Sequence, residues 1–390
     1  MSISSLRSRR GFALVVAVLT SALVVSGCAR DTGGSATPAP GGAQGTQCAR
    51  NPAPAATGTS ATPVPPPTAD ASALRVGLAY DIGGRGDQSF NDAAAAGLDR
   101  AVTDLKLSKD NTRELSAGQG ESEADAAARL RQLVTDGFNP IVAVGFAYAD
   151  PVATVAAENP TVQFAIVDST VELPNVTPLV FAEEQGSFLV GAAAALKTKT
   201  CRIGFVGGVE TPLIQKFEAG YVAGAKAVAP EIQVDVGYLT AAGDPSGFND
   251  PVRGNETARG QLDRGADIVY HAAGGSGQGV FQAVEAANTP EAPKFAIGVD
   301  SDQYNTVEPP ANEVIMTSML KRVDVAVFDY IAAVANGDLS ALPEAFDLKV
   351  DGVGYSTTGG KIDDITGDLD AYKAAIVSGE INVPTTPSGS

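Results

Sequence analysis

Residues 74–80 read LRVGLAY, and six more short runs of the same character follow. They are IVAVGF (141–146), TVQFAIVD (161–168), RIGFVGG (202–208), IQVDVGYL (232–239), DIVYHAAG (267–274) and KFAIGVD (294–300). Ala-rich, helix-length stretches lie between them at 92–107, 122–135, 185–197, 212–228, 255–264 and 278–288. Apolar runs bounded by turn residues and separated by such stretches predict βαβ units and a parallel sheet. The runs are continuously apolar rather than alternating, so strands covered on both faces are expected. The units form two series, broken near NVTPLVFAEEQGSFLVG (175–191), which predicts two similar α/β lobes. A TIM barrel is the competing architecture, but the strand spacing resets after this segment.

The composition narrows the function. The chain has 390 residues, 27 Lys+Arg against 45 Asp+Glu, and a formal net charge of −18. A nucleic-acid partner would need a basic face, so none is expected. There is one histidine, His271, and three cysteines, Cys28, Cys48 and Cys201. Three cysteines make neither a Cys₄ zinc site nor a disulfide framework.

The first 28 residues, MSISSLRSRRGFALVVAVLTSALVVSGC, read as an address. Arg7, Arg9 and Arg10 precede an apolar stretch from Gly11 to Val25, too short for a comfortable bilayer span. The ending Val25-Ser26-Gly27-Cys28 resembles a bacterial lipobox, in which the cysteine is lipidated and becomes the new N-terminus. An ordinary signal peptide or short anchor is the alternative. Residues 29–73 hold eight prolines and six glycines and few apolar side chains beyond alanine. That composition predicts a disordered tether, roughly 35–40 Å across. Cys48 lies inside it, and pairing with Cys201 is left open.

In open parallel sheets, ligands sit outside the carboxyl ends of the strands. The residues there are Asp81, Asp168, Gly274-Gly275-Ser276-Gly277 and Asp300. Each carboxylate alone reads equally as a helix cap or Asx turn. Three on one rim point to binding. GGSGQG (274–279) follows a strand and opens a helix, but matches neither common phosphate-loop spacing. It offers backbone N–H donors, or is simply a tight turn.

Hydrolytic chemistry finds little support: there is no G-x-S-x-G, His271 sits mid-strand, and Cys201 has no base nearby in sequence. Asp-only metal ligation has no recognisable spacing, and no cofactor is expected. The stretch GGRGDQSFNDAAAAG (83–97) is more informative. Phe90 falls in a polar turn at a helix start, beside Asn91, whose amide both donates and accepts. Phe248 sits in a second such loop, DPSGFNDP (244–251). Two loop aromatics, one per lobe, are suited to sandwich a flat ring. A hydrophobic staple is the structural alternative for each.

The stretches GDQSFNDAAAAG, FAIVDS, EEQGSFLVGAAAALKTKTCRIGFVGG, FEAGYVAGAKAV, HAAGGSGQGVF, FAIGVDSDQY and TSMLKRVDVAVFDYI resemble the basic membrane protein family. These are PnrA-like substrate-binding lipoproteins of ABC transporters, and the resemblance runs from about Leu74 to Tyr355. It implies a type I periplasmic-binding-protein fold: two doubly wound parallel-sheet lobes, joined by three hinge crossovers, that close on a ligand. The expected lobes are 74–183 with 301–336, and 184–300 with 337–390, after a signal peptide at 1–27 and the tether at 28–73. The crossovers are expected near 181–186, 299–302 and 335–345.

The resemblance further implies a purine nucleoside as cargo. By motif position Phe90 and Phe248 would stack on the base, and Asn91 and Asp168 would hydrogen-bond its edge, with Asp150 the alternative to Asp168. Asp300 would accept from the ribose hydroxyls, with Lys321 and the Gly274-Gly275 backbone nearby and Asp81 lining the pocket. A monomer lipid-anchored at Cys28 on the extracytoplasmic face, serving an ABC permease and ATPase, follows as the expectation. A sensory or surface-interaction lipoprotein and a nucleoside hydrolase are the alternatives.

Overall fold

The structure is a computed structural model and describes residues 48–55 and 66–388. The expected signal peptide, Cys28 and tether residues 29–47 and 56–65 lie outside the described residues. Two sheets form. The first holds β1 (Val76–Ile82), β2 (Thr112–Ala117), β3 (Ile141–Ala143), β4 (Phe164–Val167) and β5 (Val176–Leu179). Its order is β2-β1-β3-β4-β5, all parallel. The helices α1 (Phe90–Asp104), α2 (Glu123–Thr135) and α3 (Ala149–Glu158) connect its strands.

The second sheet follows α4 (Glu183–Lys197). Its strands are β6 (Arg202–Glu210), β7 (Gln233–Ala241), β8 (Ile268–Ala272), β9 (Phe295–Asp300), β10 (Ile315–Lys321) and β11 (Val353–Tyr355). The connecting helices are α5 (Pro212–Val228), α6 (Pro251–Asp263), α7 (Gly277–Ala287) and the short α8 (Gln303–Thr306). α9 (Val323–Asn336) and α10 (Thr366–Val377) complete the chain. The order is β11-β10-β9-β8-β6-β7, with only β10–β11 antiparallel. Setting β11 aside, β7-β6-β8-β9-β10 repeats the order of the first sheet.

Burial explains the strand pattern. β3, β4 and β8 have every residue buried, as continuous apolarity predicts. α4 is an Ala-rich helix with most of its residues buried. It lies against α5 closely enough that a Cβ on Gly220 would stand 2.1 Å from the Glu184 carbonyl oxygen, and one on Gly224 1.9 Å from that of Phe188. Only glycine permits that approach.

Two expectations need correction. The second crossover is not at 299–302. The chain continues through α8 into β10, which pairs with β9 in the second sheet, and leaves only at Arg322. So residues 301–336 divide: 301–321 stay with the second sheet, while α9 packs on α1 beside the first. The sequence hid this because Thr317 and Ser318 interrupt the apolar run of β10; both are buried, with Thr317 Oγ1 donating to the Ser356 carbonyl. The crossing segments lie side by side. Phe346 N–H donates to the Val180 carbonyl, Ala182 N–H to that of Phe346, and Arg322 N–H to that of Gly352.

The second correction concerns the tether. Residues 48–55 and 66–73 are placed against the body. Cys48 is disulfide-bonded to Cys201, 153 positions away. Arg50 donates to the Thr198 carbonyl, and Asn51 N–H to that of Val228. Ala71 is fully buried, its N–H donating to the Leu105 carbonyl. Composition alone missed this because one covalent bond and a few backbone hydrogen bonds hold the segment, not an apolar pattern. Among the described residues no helix is long and apolar enough to cross a membrane.

Candidate functional site

In each sheet the strand order reverses once, between β1 and β3 and between β6 and β8. Ligand crevices form at such switch points, outside the carboxyl ends. Here the carboxyl ends of both sheets line one cavity, partly open to solvent. All nine ligand-site residues expected from sequence line it: Asp81, Phe90, Asn91, Asp168, Phe248, Gly274, Gly275, Asp300 and Lys321. The alternative to Asp168, Asp150, is exposed in the first turn of α3.

The loop from β1 to α1 is built by two carboxylates. Asp87 is buried and accepts the N–H groups of Ser89, Asn91 and Asp92. Asp92 accepts those of Gly86 and Gln88. This caps the helix where its N–H groups lack partners and fixes Asn91. The Asn91 amide donates to the Ile82 carbonyl and to Asp87, and its oxygen accepts from Asp81 N–H. Both of its donors are thus engaged inside the protein. Toward a ligand edge Asn91 therefore offers only a remaining lone pair.

At the inner end, Lys321 is 2% exposed and lies 2.6 Å from Asp168 and 3.5 Å from Glu183. The rings of Phe90 and Phe181 stand 5.1 Å from its ammonium, and that of Phe217 5.6 Å. Burial opposes its charge, but Asp168, Glu183 and Asp300 outweigh burial and raise its pKa. The carboxyls feel burial as well. It pushes Asp300 up to about 7 against Lys321 and the Ser89 hydrogen bond, and Asp81 up to about 6 against the Ile82 N–H. Asp168 is also raised, burial prevailing over its ion pair. Asp81 can sit here because Gly145 lacks a side chain: a Cβ there would stand 2.6 Å from Asp81 Oδ2.

Sequence reasoning missed several lining residues. Phe146, at the end of the run 141–146, meets Phe248 edge to face at 6.2 Å and 72°. Its position just past a strand end was the available signal. Leu213, Ile214 and Phe217 line the cavity from the start of α5, where they read as an ordinary apolar helix face. His271, by contrast, is fully buried in β8, as its mid-strand position implied. Among the described residues no group of three or more His, Cys, Asp or Glu is placed to hold a metal ion.

Two α/β lobes with facing strand ends, adjacent crossovers and one cavity between them define a type I periplasmic-binding-protein fold. Residues 74–386 match the model of the PnrA-like family of ABC transporter substrate-binding proteins, and the chain belongs to that family. It is 38% identical over 326 residues to a CD4+ T-cell-stimulating antigen of Listeria monocytogenes, covering 80% of this chain and 88% of that one. It is 33% identical over 330 residues to the ABC transporter nucleoside-binding protein BmpA of Lactococcus lactis, covering 80% and 89%. A solute-binding protein structure from an ABC transporter system of Aeropyrum pernix superposes with a TM-score of 0.67 at 27% identity, covering 81% of this chain and 94% of that one.

Proposed function

We propose that this substrate-binding protein takes a purine nucleoside into the cavity between its lobes and, anchored by lipid at Cys28, delivers it to a membrane permease. The observation that carries the reading is the cavity itself: aromatic rings from both lobes beside a buried, hydrogen-bond-accepting carboxylate, Asp300. A purine presents a flat face to Phe90 and Phe248, with Phe146 closing on its edge. A ribose 2′,3′-diol presents two adjacent donors, which an ionised carboxylate accepts. Asp168 and the free lone pair of Asn91 are left for the polar edge of the base.

The charge set selects against phosphate. Asp81, Asp87, Asp168 and Asp300 line the cavity, and its one lysine, Lys321, already faces Asp168 and Glu183. Nucleosides are therefore preferred over nucleotides. Calorimetry with inosine, adenosine and guanosine, each beside its 5′-monophosphate, tests this. Tight binding of a nucleoside and none of its monophosphate is expected. Equal binding of the two contradicts the proposed selection, and binding of neither contradicts the cargo. The BmpA relative is named for nucleoside binding, which supports the same reading. Lobe closure about the crossovers at 180–182, 322 and 346–352 would trap and release the ligand.

A further inference from the structure

His271 does not line the cavity, yet it is fully buried and has one polar contact: its Nε2 lies 3.0 Å from Oε1 of Gln303. Gln303 is fully buried too. Its Oε1 also accepts the Val299 N–H at 2.8 Å. An amide oxygen only accepts, so His271 Nε2 carries the hydrogen, and the ring is held in that tautomer. With the oxygen fixed from two sides, the Gln303 amide nitrogen faces the other lobe. There it donates to the Gln88 carbonyl at 2.9 Å.

Gln88 belongs to the β1–α1 loop, two residues before Phe90, in left-handed backbone at φ 57°. Three more bonds converge on this loop from the same stretch of the second lobe. Thr306 Oγ1 donates to the Gln88 carbonyl at 3.1 Å. Ser301 Oγ donates to the Ser89 carbonyl at 2.9 Å. Ser89 Oγ donates back to Asp300 Oδ2 at 2.6 Å. All four link elements of different sheets, so opening the cleft would break them.

We infer that Gln303, aimed by His271, is a positioning residue: it clasps the Gln88–Ser89 loop across the cleft, holds the lobes closed and sets Phe90 against the ligand. The inference rests on reading the cavity as a ligand cleft, not on the ligand being a nucleoside. The clasp opposes release, because its bonds must break before the lobes can part.

The test uses Gln303→Glu, which keeps the shape and both acceptor bonds within the second lobe but turns the donor facing Gln88 into an acceptor. Thr306→Val removes the second donor from an exposed position, where folding is not at stake, and Ser301→Ala removes the third. Small-angle scattering of the ligand-free proteins should show wild type more compact than Gln303→Glu. Stopped-flow release of inosine should be about tenfold faster in Gln303→Glu, with a smaller increase in the other two. Folded variants with wild-type scattering and wild-type release would overturn the inference. If Gln303→Glu does not fold, Thr306→Val with Ser301→Ala decides by the same two readouts. Failure of inosine to bind wild type counts against the nucleoside reading alone; the scattering comparison still decides the clasp.

Discussion

Asp168 and Asp300 occupy equivalent strand ends in the two lobes, and both adopt left-handed backbone, at φ 67° and 63°. β4 and β9 hold the same place in their sheets, and their sequences, FAIVD and FAIGVD, are near copies. Aspartate tolerates this conformation better than most side chains, at a cost of order 1–3 kcal/mol. These two equivalent strand ends thereby each bring a carboxylate to the cavity, beside Asp81 and Asp87. Only Asp168 has a lysine as its direct partner; Asp300 accepts from Ser89.

Asp300→Asn is the sharpest substitution that follows. Asparagine also tolerates left-handed backbone, so the fold should persist. Nucleoside affinity should fall at least about tenfold, since the charged acceptor for the diol is lost. The melting temperature should stay level or rise, because a carboxyl whose pKa burial has raised is destabilising when ionised. Calorimetry and thermal melting on one preparation check both.

The acid groups make stability and affinity respond to pH with opposite signs. Burial holds Asp300 up to about 7 and Asp81 up to about 6. Between about pH 4 and pH 7 the folded state therefore binds more protons than the unfolded chain, and this contribution to stability falls as pH rises. Ligand hydroxyls donate to the ionised form, so affinity should rise across the same window and level off above about pH 7. Melting and titration across the range, with proton release on binding, are the measurements.

Lys321→Met should be strongly destabilising. It leaves Asp168 and Glu183 buried without their shared cation, a loss of about 3–5 kcal/mol when one partner of a buried pair is removed. Denaturant unfolding reads it. Lys216, 3.2 Å from Glu183, would relieve part of the loss.

The Cys48–Cys201 bond makes a separate prediction. Cys48→Ser should lower stability by about 2–4 kcal/mol and free residues 48–55 for proteolysis. The bond lies at the start of β6, away from the cavity-lining residues, so nucleoside affinity should be unchanged.

The parts of this fold that were legible in the sequence are those in which one property dominates. Continuous apolarity gave β3, β4, β8 and β9, and the strand-end rule brought out Asp81, Asp168 and Asp300. What was hidden involves two competing signals. β2, TRELSA, is an edge strand with a half-exposed, polar pattern. β5 has four residues, one of them proline. β10 carries buried hydroxyls, and missing it displaced the second crossover. The internal use of both Asn91 donors depends on Asp87 and Ile82, and no spacing in the sequence announces that.

The most direct test of the cargo is mass spectrometry of the small molecules released when the purified full chain is denatured. A purine nucleoside, guanosine, adenosine or inosine, is expected in near-stoichiometric amount. A sugar or a peptide in its place would contradict it.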